Sequence, residues 1–131
     1  MLRLILGVVV GAIAGMLTIS VIEMLGHIIW PPPANVDMND MDAFRATIAA
    51  MPTGALAAIV AGWTIGAFVG ALAANLIARR ALAGWIVAAL VIAAIIVNAA
   101  MIPGPLWMPI SGILLALLAG WLASRVRAIP F

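Results

Sequence analysis

The stretch that decides the fold is PTGALAAIVAGWTIGAFVGALAANLIARRALAGWIVAALVIAAIIVNAAMI, residues 52–102. Its only charges are Arg79 and Arg80, side by side. As one continuous helix it would reach roughly 75 Å, against a hydrocarbon core of about 30 Å. The arginine pair therefore marks a turn between two spans, at about 52–78 and 81–102. Outward from it, Leu4 to Ile29 and Leu106 to Ser124 (about 106–124) are two further apolar runs. Each approaches or exceeds the roughly 20 residues that a crossing needs. The sequence predicts an all-α integral membrane four-helix bundle. It forms a single transmembrane domain over 1–131, with spans at about 4–29, 52–78, 81–102 and 106–124 and an outer loop at 30–51.

Composition agrees. Of the 131 residues, 68% are hydrophobic and 8% charged, where soluble domains have roughly 45–50% and about 25%. A core this small cannot hide such a surplus, so the lipid bilayer is its solvent and first partner. The chain has no cysteine, which excludes disulfides and thiolate chemistry. The net charge is only +2 and the arginines sit at segment ends, a topological pattern that does not imply nucleic-acid binding.

Arg3, Arg79, Arg80, Arg125 and Arg127 fall on one side of the membrane, and Asp37, Asp40, Asp42 and Arg45 on the other. The positive-inside rule then puts both termini in the cytoplasm, in a bacterial inner membrane. Trp30 and Trp107 fall at the outer interface, and Trp85 and Trp121 near the inner one, while Trp63 lies well inside its span and reads as packing or lipid-facing. Arg3 before an apolar run, with Ala12-Ile13-Ala14 following, resembles a secretory signal. The run continues to Ile22, longer than a signal core, so a retained helix is expected.

Small residues recur every fourth position: Gly7, Gly11, Gly15; then Gly54, Ala58, Gly62, Gly66, Gly70, Ala74; then Gly112, Ala116, Gly120, Ser124. In lipid, close backbone approach through such residues is a main source of helix association. Gly7, Gly11, Gly15, Gly62, Gly66, Gly70, Gly112 and Gly120 are the expected packing positions. Their number exceeds what one bundle obviously needs, which points to a homo-oligomer or a larger membrane complex. Met51-Pro52-Thr53-Gly54 leading to Trp63 resembles Met108-Pro109-Ile110-Ser111-Gly112 leading to Trp121, with one residue more. This reads either as two hairpins related by an axis along the membrane normal or as chance in a low-complexity background.

In the outer loop, Pro31-Pro32-Pro33 ends the first helix and forms a stiff polyproline spacer. Asn39 or Asp40 caps a short helix over Met41 to Ala50. Its residues Met41, Phe44 and Ile48, with Met51, form one apolar face for the membrane or bundle, and Pro52 suits the first turn of the second span.

Glu23 is the only acidic residue in a span, and His27, the only histidine, lies one turn on. Glu23 is about 30 Å along the helix from Arg3, near the outer edge of the hydrocarbon. It is rotated about 80° from Gly15, and His27 about 120°, so the pair turns away from the glycine line. Asn98 lies about 27 Å from Arg80, Ser111 about 21 Å from Arg125, and Ser20 one turn below Glu23. These five are the candidate polar site under the outer loop. Two readings stay open: a hydrogen-bonded knot that closes the bundle, or a site for an ion, proton or headgroup. Asp37, Asp40 and Asp42 lack the glycine and distal glutamate of a calcium loop, so no metal and no cofactor are expected. Asn75 and Thr64 suit interhelical hydrogen bonds. No nucleophile elbow accompanies the serines, so an enzyme is not expected.

Glu23-Met24-Leu25-Gly26-His27, Pro31-Pro32-Pro33 and Asp37 resemble a group of small uncharacterised bacterial four-span membrane proteins. Gly62-Trp63, Gly66-Ala67-Phe68, Gly70 and Ile102-Pro103-Gly104-Pro105-Leu106-Trp107 belong to the same resemblance. It implies topology and no mechanism. Similar sequences often carry a histidine where this chain has Gly104, which lowers the expectation of an outer-face metal site. The functional expectation is a non-catalytic packing or accessory subunit of a membrane assembly. The alternatives are a small transporter or permeation unit using Glu23 and His27, or a protein that binds a lipid or quinone headgroup.

Overall fold

The computed structural model describes residues 2–31, 40–101 and 105–127. Five helices follow in order: α1 (Leu2–Ile29), α2 (Met41–Ala50), α3 (Thr53–Ala78), α4 (Ala81–Met101) and α5 (Trp107–Arg127). α1, α3, α4 and α5 are each long and apolar enough to cross a membrane. The chain is an all-helical bundle of four such elements, with α2 in the first loop.

The ends of the helices follow from local chemistry. Asp40 Oδ1 accepts from the N–H groups of Asp42 at 3.0 Å and Ala43 at 3.4 Å, so Asp40 caps α2. Pro52, in extended backbone, stands just before α3 rather than in its first turn. At the other end of α3, Arg79 takes the left-handed conformation (φ 58°, ψ 30°) and its N–H donates to the Asn75 carbonyl. That conformation costs a non-glycine residue roughly 1–2 kcal/mol. It reverses the chain within two residues and leaves Arg79 and Arg80 exposed at the end of the bundle. The fully buried Asn75 braces the same turn from inside: its Oδ1 accepts from the Gly84 N–H on α4 at 2.6 Å. Asn75 thus makes the interhelical bond expected of it. Thr64 does not; its hydroxyl donates to Val60 O on its own helix at 2.9 Å, the usual recourse of a hydroxyl in apolar surroundings.

α3 is the hub. It packs against α1, α4 and α5; α4 packs against α5 and touches α1 more lightly. Among the described residues α1 and α5 do not touch. Two hairpins related by a two-fold axis would require an α1–α5 contact to match α3–α4, so the packing is not two-fold. The extra residue between Pro109 and Trp121 accounts for part of this. It rotates Trp121 by about 100° relative to Trp63. Trp63 is 9% exposed in the core with Leu56, Val60, Ile95 and Met108, whereas Trp121 is 48% exposed.

α1 runs antiparallel to α3 along its glycines. Gly7 meets Ala74 and Ala78, Gly11 meets Gly70 and Ala74, and Gly15 meets Gly66. Higher up, Ile22 meets Gly62, Gly26 faces Ala58, and Trp30 covers Gly54. Arg3 Nε donates to the Ile77 carbonyl at 3.0 Å, placing a cation at the C-terminal turn of α3. On α5, Gly112 receives the Trp63 ring, Gly120 receives Trp85 and Ala88, and Ala116 and Ala119 are buried with Ala67. Every glycine of the three stripes therefore finds its partner within the chain.

The remaining loop expectations, concerning Pro32, Pro33, Asp37, Asn39, Gly104 and the side chains of Met41, Phe44, Arg45 and Ile48, lie outside the described residues. Met51 is half-buried and packs on the core cluster around Trp63.

Candidate functional site

α1 and α3 are antiparallel, and so are α3 and α4 across the tight Arg79-Arg80 turn. α1 and α4 are therefore parallel. At their lower ends Leu4 and Val8 of α1 pack on the cluster of Ala74, Ala78, Ala83 and Val87. Above this closure a groove of about 380 Å³ opens between the two helices. Its walls are Ala12, Gly15, Met16 and Ile19 on one side and Val87, Leu90, Val91, Ala94 and Ile95 on the other. Trp63 of α3 lies against it, and Asn98 is its one polar lining residue. Met16, Leu90 and Ala94 are exposed, so the groove opens sideways, toward what would be lipid.

The expected polar layer is only partly assembled. Ser111 sits on α5, which does not reach α1, and its hydroxyl donates to the Trp107 and Met108 carbonyls of its own helix. Ser20 and His27 are exposed. Glu23 and Asn98 are half-buried. Among the described residues no hydrogen bond or ion pair joins Glu23 to His27.

Glu23 and Asn98 do share a level. A methyl at Gly70 would lie 2.6 Å from the Gly11 carbonyl and 3.0 Å from Val87 Cγ1, so Gly11 and Val87 flank the same point of α3. Eleven residues further along each parallel helix stand Ile22 and Asn98. Both are roughly 17 Å above that point, and Glu23 follows Ile22 directly. Glu23 is also eleven residues from Ala12, a rotation of about 20°, so it continues the groove-facing side of α1. The lined groove thus ends at the Asn98 amide on α4, and helix register sets Glu23 at the same level on α1.

Sequence reasoning singled out these two polar groups. It missed the groove walls. Ala94 and Asn98 are four apart on α4, and Met16 and Glu23 seven apart on α1. That spacing becomes a signal only once α1 and α4 are known to be neighbours. Among the described residues no three His, Cys, Asp or Glu side chains gather to hold a metal.

The fold and groove define a multi-pass helical protein with the character of a membrane protein. No protein family, curated protein or solved structure matches the chain.

Proposed function

We propose that this protein is a bacterial inner-membrane protein, with both termini cytoplasmic, that holds a membrane lipid by one acyl chain without catalysing a reaction. The groove between α1 and α4 is the observation that carries this reading. It is apolar along its length, polar at one end and open to the side, the plan of small-molecule sites in general. Within hydrocarbon it will not stay vacant, because an unfilled gap forfeits dispersion contacts. The groove, about 380 Å³ and lined almost wholly by apolar side chains, suits an acyl chain.

The expectation of an accessory packing subunit rested on surplus small-residue surface. With Gly7, Gly11, Gly15, Gly66, Gly70, Gly112 and Gly120 all in contact inside the chain, that support is gone. A carrier built on Glu23 and His27 has less support, since His27 is exposed and no ion pair joins the two among the described residues.

Native mass spectrometry of the protein in mild detergent tests the reading. The wild type should retain one phospholipid. Ala94→Phe, which fills the groove from an exposed wall position and leaves the core untouched, should lose it while keeping the wild-type thermal midpoint. A wild type free of lipid, or an Ala94→Phe variant that binds as before, overturns the reading. A retained isoprenoid quinone in place of phospholipid would do the same.

A further inference from the structure

The geometry points to selection of the lipid's headgroup: the groove mouth, with Glu23 on α1 and Asn98 on α4, prefers a phospholipid bearing a primary amine. This rests on the lipid-holding reading above and adds to it the chemistry of the head.

Depth comes first. Glu23 stands about 30 Å along α1 from Arg3, and Asn98 about 27 Å along α4 from Arg80. Against a hydrocarbon core of about 30 Å, both reach the boundary where acyl chains end and headgroups begin. A chain lying in the groove from Ile19 down to Ala12 therefore brings its own headgroup to these two side chains. The lipid belongs to the leaflet opposite the arginines.

Charge comes second. Glu23 is the only acidic residue in the four long helices, and Arg3, Arg79, Arg80 and Arg125 all lie at the opposite end of the bundle. Among the described residues no ion pair engages the Glu23 carboxylate, and His27, one turn on, lies exposed. An ammonium group meets it with a charge-assisted hydrogen bond. The Asn98 amide, on the opposite wall at the same level, carries two N–H donors for phosphate or ester oxygens. An acceptor on one wall and a donor on the other match a zwitterionic ethanolamine head, which carries an ammonium and a phosphate. A glycerol head with net negative charge offers the carboxylate no cation.

The test offers detergent-solubilised protein an equimolar mixture of phosphatidylethanolamine and phosphatidylglycerol with identical acyl chains, and reads the retained ratio by native mass spectrometry. The wild type should retain the ethanolamine lipid about five-fold over the glycerol lipid, the scale of one partly solvated ion pair. Glu23→Gln should bring the ratio to near unity while total retained lipid stays constant. Glu23→Asp should keep most of the preference, which separates charge from packing. Asn98→Leu should lower retention of both lipids alike. Equal retention by the wild type, or a preference that survives in Glu23→Gln, overturns the headgroup assignment and leaves the groove reading standing. Retention of neither lipid by the wild type overturns both.

Discussion

Glycines at four-residue spacing pack in two different ways in this molecule. On the α1–α3 seam Gly7, Gly11, Gly15 and Gly70 meet backbone. A methyl at Gly11 would lie 2.5 Å from the Gly70 carbonyl oxygen and 2.8 Å from Ala74 Cβ, and the reverse approach, from Gly70 to the Gly11 carbonyl, is 2.6 Å. On α5 the glycines meet rings. A methyl at Gly112 would lie 2.8 Å from Trp63 Cε3, and one at Gly120 would lie 3.0 Å from the Trp85 ring. The first arrangement lets two helix axes come together, as small-residue seams in membranes do. The second makes a socket for a large side chain, closer to the packing of soluble cores. The same sequence pattern thus encodes either contact or cavity, and the partner helix decides which.

The comparison breaks most readily at its first member. Gly11→Ala must push apart two backbones that have no rotamer to change. It should cost about 3 kcal/mol, near the upper end for overpacking, read as the shift in unfolding free energy by steric trapping in micelles. Gly112→Ala asks only that an indole move. It should cost about 1–2 kcal/mol on the same scale, with a change in Trp fluorescence. Equal losses for the two variants would show that backbone and ring partners are not distinct. Gly26→Ala sharpens the lower end. Its methyl would lie 3.8 Å from the nearest atom, Ala58 Cβ, an ordinary contact. The variant should be neutral or gain up to about 1 kcal/mol from helix propensity.

The spans, the Arg79-Arg80 turn, the Asp40 cap and the small-residue stripes were legible because each is a local property of the chain. Length against bilayer thickness, a charge pair and a four-residue period need no knowledge of neighbours. The arrangement around the hub was not legible. All four long helices are apolar on every side, so hydrophobicity does not say which face meets which partner. Ser111 shows the consequence. Its depth suggested a place beside Glu23, but depth and azimuth are independent, and α5 lies away from α1. Trp63 and Trp121 show it again, since a single added residue separates a core tryptophan from an exposed one. Glu23 and Asn98 were found because a polar group in an apolar run is conspicuous. The walls of the groove between them were hidden because Ala12, Met16 and Ala94 look like any other residue of their helices.

The α1–α3 seam has a consequence for the order in which the molecule is made. Gly15 and Gly66 are 51 positions apart in the chain, and Gly7 and Ala78 are 71. At translation rates of roughly 5–20 residues per second, several seconds separate the two halves of each contact. During that interval the newborn first helix has no α3 to meet, and its glycine backbone stays uncovered. The earliest-made helix therefore waits for α3, the third made, before it finds its place.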